Sequence, residues 1–455
     1  MTESASSLNY RQAQLADLAT QVLDLARRHG ATAAEAEVSE GVGQAVSVRL
    51  GEVETIEYTG DKGVGVTVYL GQSKGHASSS DFSAAALEDT VKAAINIARF
   101  TAADPFAGLA DPDRLATEFP DLSLCHPWSL SVEDAIELAR ATEAAGQAVD
   151  ARVNNSEGAS VNTNLSQFVY ANSHGFCHGQ QGSRHSLSTT LIAQQDGDMQ
   201  RDYWYSSARH PQDLLSAAEV GRVAGERAVR RLGARRVKTG QYPVLFEAPL
   251  AAGLIGHFVS AVSGGALYRK MSFLVDSLGQ QVFSPLVHID EDPFIPRGIA
   301  SGAFDNEGVA TCARTLVADG VAQGYFLSSY SARKLGMAST GHAGGCHNLL
   351  VRDSGEDFAA LLQKLGTGLL VTELLGHGVN TVTGDYSRGA AGFWVENGVL
   401  AYPVLYLLAR WHRRHAERIE RDFTALLGRD TEDQRAEQRA VHRTELRAEH
   451  REPPR

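Results

Sequence analysis

Leu15, Leu18, Val22, Leu23 and Leu25 recur at helical spacing, and the run stops at Gly30 behind Arg27, Arg28 and His29. That pattern predicts one amphipathic helix closed by a glycine past its C-terminus. The period then changes to two: AEAEVSE, AVSVRL, VETIEYT and GVGVTVYL alternate, with Gly-, Glu- and Asp-rich breaks between them. Such alternation predicts antiparallel strands with one buried face. AAALEDTVKAAINIARF returns to helical spacing, so residues 10–115 are expected to form a first α+β domain. LSVEDAIELARATEAAGQAV reads as a helix, NLSQFVYANS and HSLSTTLIAQQ as strands, and PQDLLSAAEVGRVAGERAVRRLGA as a second helix. These give a middle domain over 120–235. Residues 238–404 are richer in glycine and predict a β-rich C-terminal domain, with FWVE and VLAYPV meeting across the hairpin signal Asn397–Gly398. The expected fold class is α+β, multi-domain, with antiparallel and mixed sheets and flanking helices.

Composition narrows the function classes. The chain has 455 residues, 43% hydrophobic and 21% charged, which suits a globular protein of more than one core. No run of about 18 apolar residues is present, and the first residues lack the basic and apolar regions of a secretion signal. Cys125, Cys177, Cys312 and Cys346 are widely scattered, which fits reduced thiols and a cytoplasmic location. A net charge of −12 argues against a nucleic-acid surface.

Several segments invite a chemical reading. GQSKG (71–75) matches G-x-S-x-G around Ser73, but a polar strand-like segment follows where a nucleophile elbow needs a helix. SHGFCHGQQGSRH carries His174, Cys177, His178 and His185; between strands, alternate residues point to opposite faces, so a turn with incidental imidazoles is expected. GHAGGCHN holds Cys346 beside His347, neighbours that cannot easily face each other as a catalytic pair. Glu373 and His377 stand four apart and would share a face if TELLGHGVN were helical. AAGLIGHF contains the isolated His257. A helical zinc site needs further ligands and a carboxylate base nearby, yet the positions before it are Ala252, Gly253 and Leu254. His257 alone is expected to be a half-buried histidine. The polar lead-in Asp385, Tyr386, Ser387 and Arg388 is a candidate peptide- or partner-contacting loop, or a plain structural turn.

GVGVTVYLG, ARFTAADPFAGLADP, SRHSLSTTLIA, RDYWYSSAR, RRLGARRVKTGQYPVLFEAP, FDNEGV and TELLGHGVNTVTGDYSRGAAGFWVENG together resemble the PmbA/TldE branch of the TldD/PmbA metallopeptidase family, from about residue 15 to about 404. In the TldD branch the segment matching AGLIGH reads H-E-x-x-x-H and binds zinc, with a cysteine near the C-terminus as third ligand. On that pattern Ala252 takes the first histidine position, Gly253 takes the glutamate position, and only His257 survives. The resemblance therefore implies a chain without a metal of its own. It would pair with a TldD-like, zinc-bearing subunit in a cytoplasmic peptidase that admits unfolded or short peptides.

Two rivals stand beside this expectation: a non-enzymatic peptide-binding or scaffold protein, and an independent peptidase using Cys346 or an unrecognised histidine cluster. The sequence also departs from the family after Val404. Residues 405–455 contain twelve Arg, no Lys and one Gly, which reads either as a frameshifted last segment or as a solvated Arg/Glu-rich helix. A tail starting at 405 is expected to have no stable place in the fold.

Overall fold

The computed structural model describes residues 7–411, with side chains to Leu405. The described chain divides into two compact units. The first holds the residues up to Val229 together with 293–312 and 327–348; the second holds 230–292, 313–326 and the residues from Leu349 onward.

The first unit is built on one antiparallel sheet of six strands. Its elements are α1 (Gln12–Arg28), β1 (Ala33–Arg49), β2 (Glu52–Leu70), β3 (Ser73–Ser79), α2 (Ala84–Phe100), α3 (Val132–Gln147), β4 (Val153–Asn172), β5 (Cys177–Gln195), β6 (Asp198–Ala208) and α4 (Ala217–Arg230). The strand order is β3-β2-β1-β4-β5-β6. β1 pairs with β2 through the hairpin at Leu50–Gly51 and on its other edge with β4, Glu35 facing Asn172 and Val48 facing Ala159. The segments expected as first and middle domains thus share a single sheet. Alternation shows which face of a strand is buried; it carries no information about a partner a hundred residues away.

Both ends of that sheet are covered by helices. Ala34, Ala36 and Val38 of β1 pack with Val64, Val66 and Val68 beneath Leu15, Val22, Leu87 and Val91 of α1 and α2. Val46 and Val48 pack with Val161 and Leu187 beneath Ala135 and Ala139 of α3 and Val220 of α4. One buried carboxylate ties helix to hairpin: Glu143 of α3 accepts the Leu50 N–H at 2.9 Å and the Gly51 N–H at 2.8 Å. Both turn residues have positive φ, 51° and 78°, the conformation a two-residue hairpin requires. Glu143→Ala removes both acceptors and is expected to cost about 1–3 kcal/mol in urea unfolding. Glu143→Gln keeps one acceptor and should lose less; equal stability of all three proteins would show that the turn does not depend on this bond.

The second unit begins with β7 (Val244–Phe246), α5 (Ala248–Ala261), α6 (Gly264–Tyr268), β8 (Ile289–Asp292), β9 (Arg314–Ala318) and β10 (Val321–Ala322). After α7 (Ser329–Leu335), which belongs to the first unit, come β11 (Asn348–Val351), α8 (Phe358–Leu365), β12 (Gly368–Asn380), β13 (Asp385–Glu396) and β14 (Val399–Trp411). One small sheet has the order β10-β9-β8-β11 and the other β14-β13-β12-β7, where β7 runs parallel to β12. In the second sheet Leu369, Val371, Ala390 and Trp394 pack with Leu250 of α5 on one face. Leu370, Phe393 and Val395 pack with Leu362 of α8 on the other. Burial on both faces explains the unbroken apolar runs GLLV and AAGFWV. The Asn397–Gly398 hairpin has the positive φ values, 53° and 76°, that its sequence predicts.

One boundary changes. β14 runs past Val404 to Trp411, pairing Ala390 with Leu407 and Tyr386 with Trp411. The expectation that the chain leaves the fold at 405 is therefore wrong for residues 405–411. The composition shift that suggested it begins within a strand whose pairing is set by β13. The rest of the tail reading, 412–455, lies outside the described residues.

Candidate functional site

β7 delivers the chain directly into α5, with Pro249 in the first turn, where a missing N–H costs nothing. Along this helix Ala252 and Gly253 are exposed and His257 is half-buried. Gly253 lies one turn before His257 on the same side of the helix, and a Cβ added there would meet no atom within 4 Å. Glycine inside a helix costs roughly 0.5–1 kcal/mol against alanine, and here the local return is open space beside the imidazole.

The strand beside it completes the site. Tyr386 and Arg388 stand two residues apart on β13, on the side of Ala390, which packs with Leu250 of α5. The His257 ring meets the Tyr386 ring edge-to-face, centroids 6.0 Å apart. Burial, and then the positive charge of Arg388, hold His257 below the ordinary histidine range, so the imidazole is neutral near pH 7. Burial pushes the Tyr386 phenol up, with Arg388 opposing. Tyr386 Oη and Arg388 Nε are buried and have no hydrogen-bond partner among the described residues.

Of the four loop residues singled out from the sequence, Tyr386 and Arg388 thus reach His257. The other two do not. Asp385 accepts a hydrogen bond from Thr383 Oγ1 at 2.8 Å in the turn before the strand. Ser387 occupies the alternate position, its backbone crowding Gly378 of β12. Sequence reading singled out this segment but missed its convergence on α5; the available signal was the parity shared by 386, 388 and 390.

These residues do not fit zinc. Ala252 and Gly253 offer neither ligand nor base, and the one imidazole sits in the field of a guanidinium. Among the described residues no group of three His, Cys, Asp or Glu side chains could hold a metal ion.

The remaining candidates separate in space. Ser73 opens β3 after a two-residue turn, a strand–turn–strand setting with no nucleophile elbow. His174 Nδ1 lies 3.1 Å from the Ala110 carbonyl, and His178 stacks on Phe119 with centroids 3.5 Å apart. His185 is fully buried, its Nε2 bonded to the His126 carbonyl at 2.9 Å and its Nδ1 to Thr163 Oγ1 at 2.8 Å. Cys177 is exposed. Both ring nitrogens of His347 lie 3.2 Å from carbonyl oxygens, those of Ala300 and Gly341. The helical condition placed on Glu373 and His377 fails, since both lie in β12, and Glu373 forms an ion pair with Arg231. Leu369, Leu370 and Val371, buried and paired with both β7 and β13, set the strand, and pairing with β13 carries it through Glu373 and on to Asn380 whatever the helical spacing.

Sequence reading also missed a cavity of about 390 Å³ in the first unit. Its lining includes Glu35, Glu37 and Glu307, with His76 and Tyr170. Glu35 accepts hydrogen bonds from the hydroxyls of Tyr69 at 3.2 Å and Tyr170 at 2.8 Å. No local motif announces it, because its residues come from four strands and a distant loop.

Comparison with known proteins adds a family. Profiles for domain 1, the central domain and the C-terminal domain of PmbA/TldA metallopeptidases match residues 34–98, 125–232 and 239–408. The chain is 49% identical over 371 residues to metalloprotease PmbA of Escherichia coli O157:H7, covering 82% of each chain. It is 45% identical over 402 residues to the PmbA homolog of Haemophilus influenzae, covering 88% of this chain and 89% of the other. Among solved structures, a candidate modulator of DNA gyrase from Bacteroides thetaiotaomicron matches with a TM-score of 0.83 and 28% identity, covering 87% of this chain and 90% of that one. TldE from Thermococcus kodakarensis has a TM-score of 0.75 over 87% of this chain and 91% of its own; at 17% identity it speaks for the fold alone.

Proposed function

The chain belongs to the PmbA/TldE branch of the TldD/PmbA metallopeptidase family, and on that premise we propose that it is the zinc-free half of a two-subunit cytoplasmic peptidase. A TldD-like subunit supplies the zinc and the glutamate base, and unfolded or short peptides are the substrates. The observation that carries the reading is α5 itself. It presents Ala252 and Gly253, with open space beside them, where a helical zinc peptidase needs a ligand and a base. This chain contributes peptide contacts from β13. No helix among the described residues is long and apolar enough to cross a membrane.

The test is co-expression with a TldD-like subunit, followed by zinc content and peptide hydrolysis for each chain and for the mixture. The pair is expected to co-purify, with hydrolysis in the mixture that a chelator removes. The isolated chain should hold far less than one zinc and hydrolyse little. Stoichiometric zinc in the isolated chain, lost on His257→Ala, would overturn the assignment, as would failure of the two chains to associate.

A further inference from the structure

The group of side chains at the α5–β13 contact has an uneven chemistry. Arg388 forms no ion pair among the described residues, and its Nε is a buried donor without an acceptor. The Tyr386 hydroxyl is a second buried polar atom without a partner. His257, neutral near pH 7, adds a third donor, and none of the three side chains brings a negative charge. Unmade hydrogen bonds of buried donors are costly, and the missing element at this contact is an anionic acceptor. On the helix side the surface is open at exposed Gly253, one turn before His257, where nothing lies within 4 Å of the missing side chain.

We propose that His257, Tyr386 and Arg388 form a subsite for a carboxylate carried by a peptide. This deepens the peptide-contact reading above and rests on it. A forked guanidinium matches the two oxygens of a carboxylate, which a lone carbonyl oxygen does not, so the site selects charge as well as shape. Tyr386 Oη donates to one carboxylate oxygen, and the His257 ring limits how deeply the group enters. The carboxylate has two possible sources, the peptide's C-terminus or an Asp or Glu side chain.

The test uses the full chain and three pentapeptides of otherwise identical sequence: free C-terminal acid, C-terminal amide, and an amide carrying one Glu. Binding is measured by titration calorimetry at fixed pH and ionic strength. The free acid or the Glu-bearing amide should bind about ten- to a hundredfold more tightly than the plain amide, the size expected for a charge-assisted bond. Whichever of the two binds tightly names the source. Arg388→Gln should erase the difference. Tyr386→Phe, which keeps the ring against His257, should reduce it about three- to tenfold, with folding of both variants checked by circular dichroism. Equal binding of all three peptides, or discrimination unchanged in Tyr386→Phe, overturns the subsite and leaves the peptide-contact reading standing. Absence of binding by every peptide overturns both.

Discussion

Gly221→Val is expected to leave little or no folded protein. α3 and α4 cross through Gly146, Gly221 and Gly225 with backbone against backbone. A Cβ on Gly221 would lie 2.1 Å from the Thr142 carbonyl oxygen and 2.9 Å from the Gly146 nitrogen; one on Gly225 would lie 2.4 Å from the Gly146 carbonyl oxygen. These obstacles are main-chain atoms of a helix that Ala135 and Ala139, on the same face, hold onto the sheet. A flexible side chain could swing away; here a whole helix must move, and it would uncover Val46, Val48 and Leu187. Overpacking of this kind costs about 3 kcal/mol or more. Against a typical total of about 5–15 kcal/mol, the added branches of valine leave a small margin. Gly253→Ala on α5 is the matched contrast. Its Cβ meets nothing, so it should gain about 0.5–1 kcal/mol through helix propensity. Soluble yield and urea midpoints of the two variants decide the matter. A Gly221→Val protein as stable as the parent would mean that the two helices are not held at this distance.

How much of this was readable in advance depends on the range of the interaction. Leu15 to Leu25 and Leu87 to Ala98 announced α1 and α2 because a helix is written in its own spacing. The Asn397–Gly398 turn was equally legible, since two adjacent residues supply its backbone conformation. Three features were not. The pairing of Val48 with Ala159 joins segments more than a hundred residues apart. Glu373 and His377 suited a helix only in isolation; burial of Leu370 and Val371 on opposite faces decided for a strand. At the candidate site the family resemblance singled out Ala252, Gly253 and His257 on one segment, and the polar lead-in to the C-terminal hairpin marked Asp385 to Arg388 on another. Their meeting depends on α5 lying over β12 and β13, a tertiary fact. Once the strand is known, parity alone separates Tyr386 and Arg388 from Ser387.

Ending the chain after Val404 is expected to make it aggregate and to abolish any preference for peptide carboxylates. The composition beyond 404 suggested a tail with no stable place in the fold, but β14 continues to Trp411 and pairs along the polar half of β13. Its partners there include Tyr386 with Trp411, Arg388 with Ala409, and Ala390 with Leu407. Removing residues 405–411 strips β13 of that neighbour and exposes main-chain N–H and C=O groups as a free edge. Several net hydrogen bonds at about 1 kcal/mol each are lost, and the new edge is a template for pairing with other copies. The consequence for the candidate site is direct, because Tyr386 and Arg388 owe their position against His257 to a strand held on both sides. Light scattering and soluble yield of the shortened chain, compared with the full one, measure the first effect. The acid-against-amide peptide titration measures the second. A shortened protein that stays monomeric, unfolds at the same urea concentration and still discriminates the two peptides would show that β14 beyond Val404 supports neither the sheet nor the site.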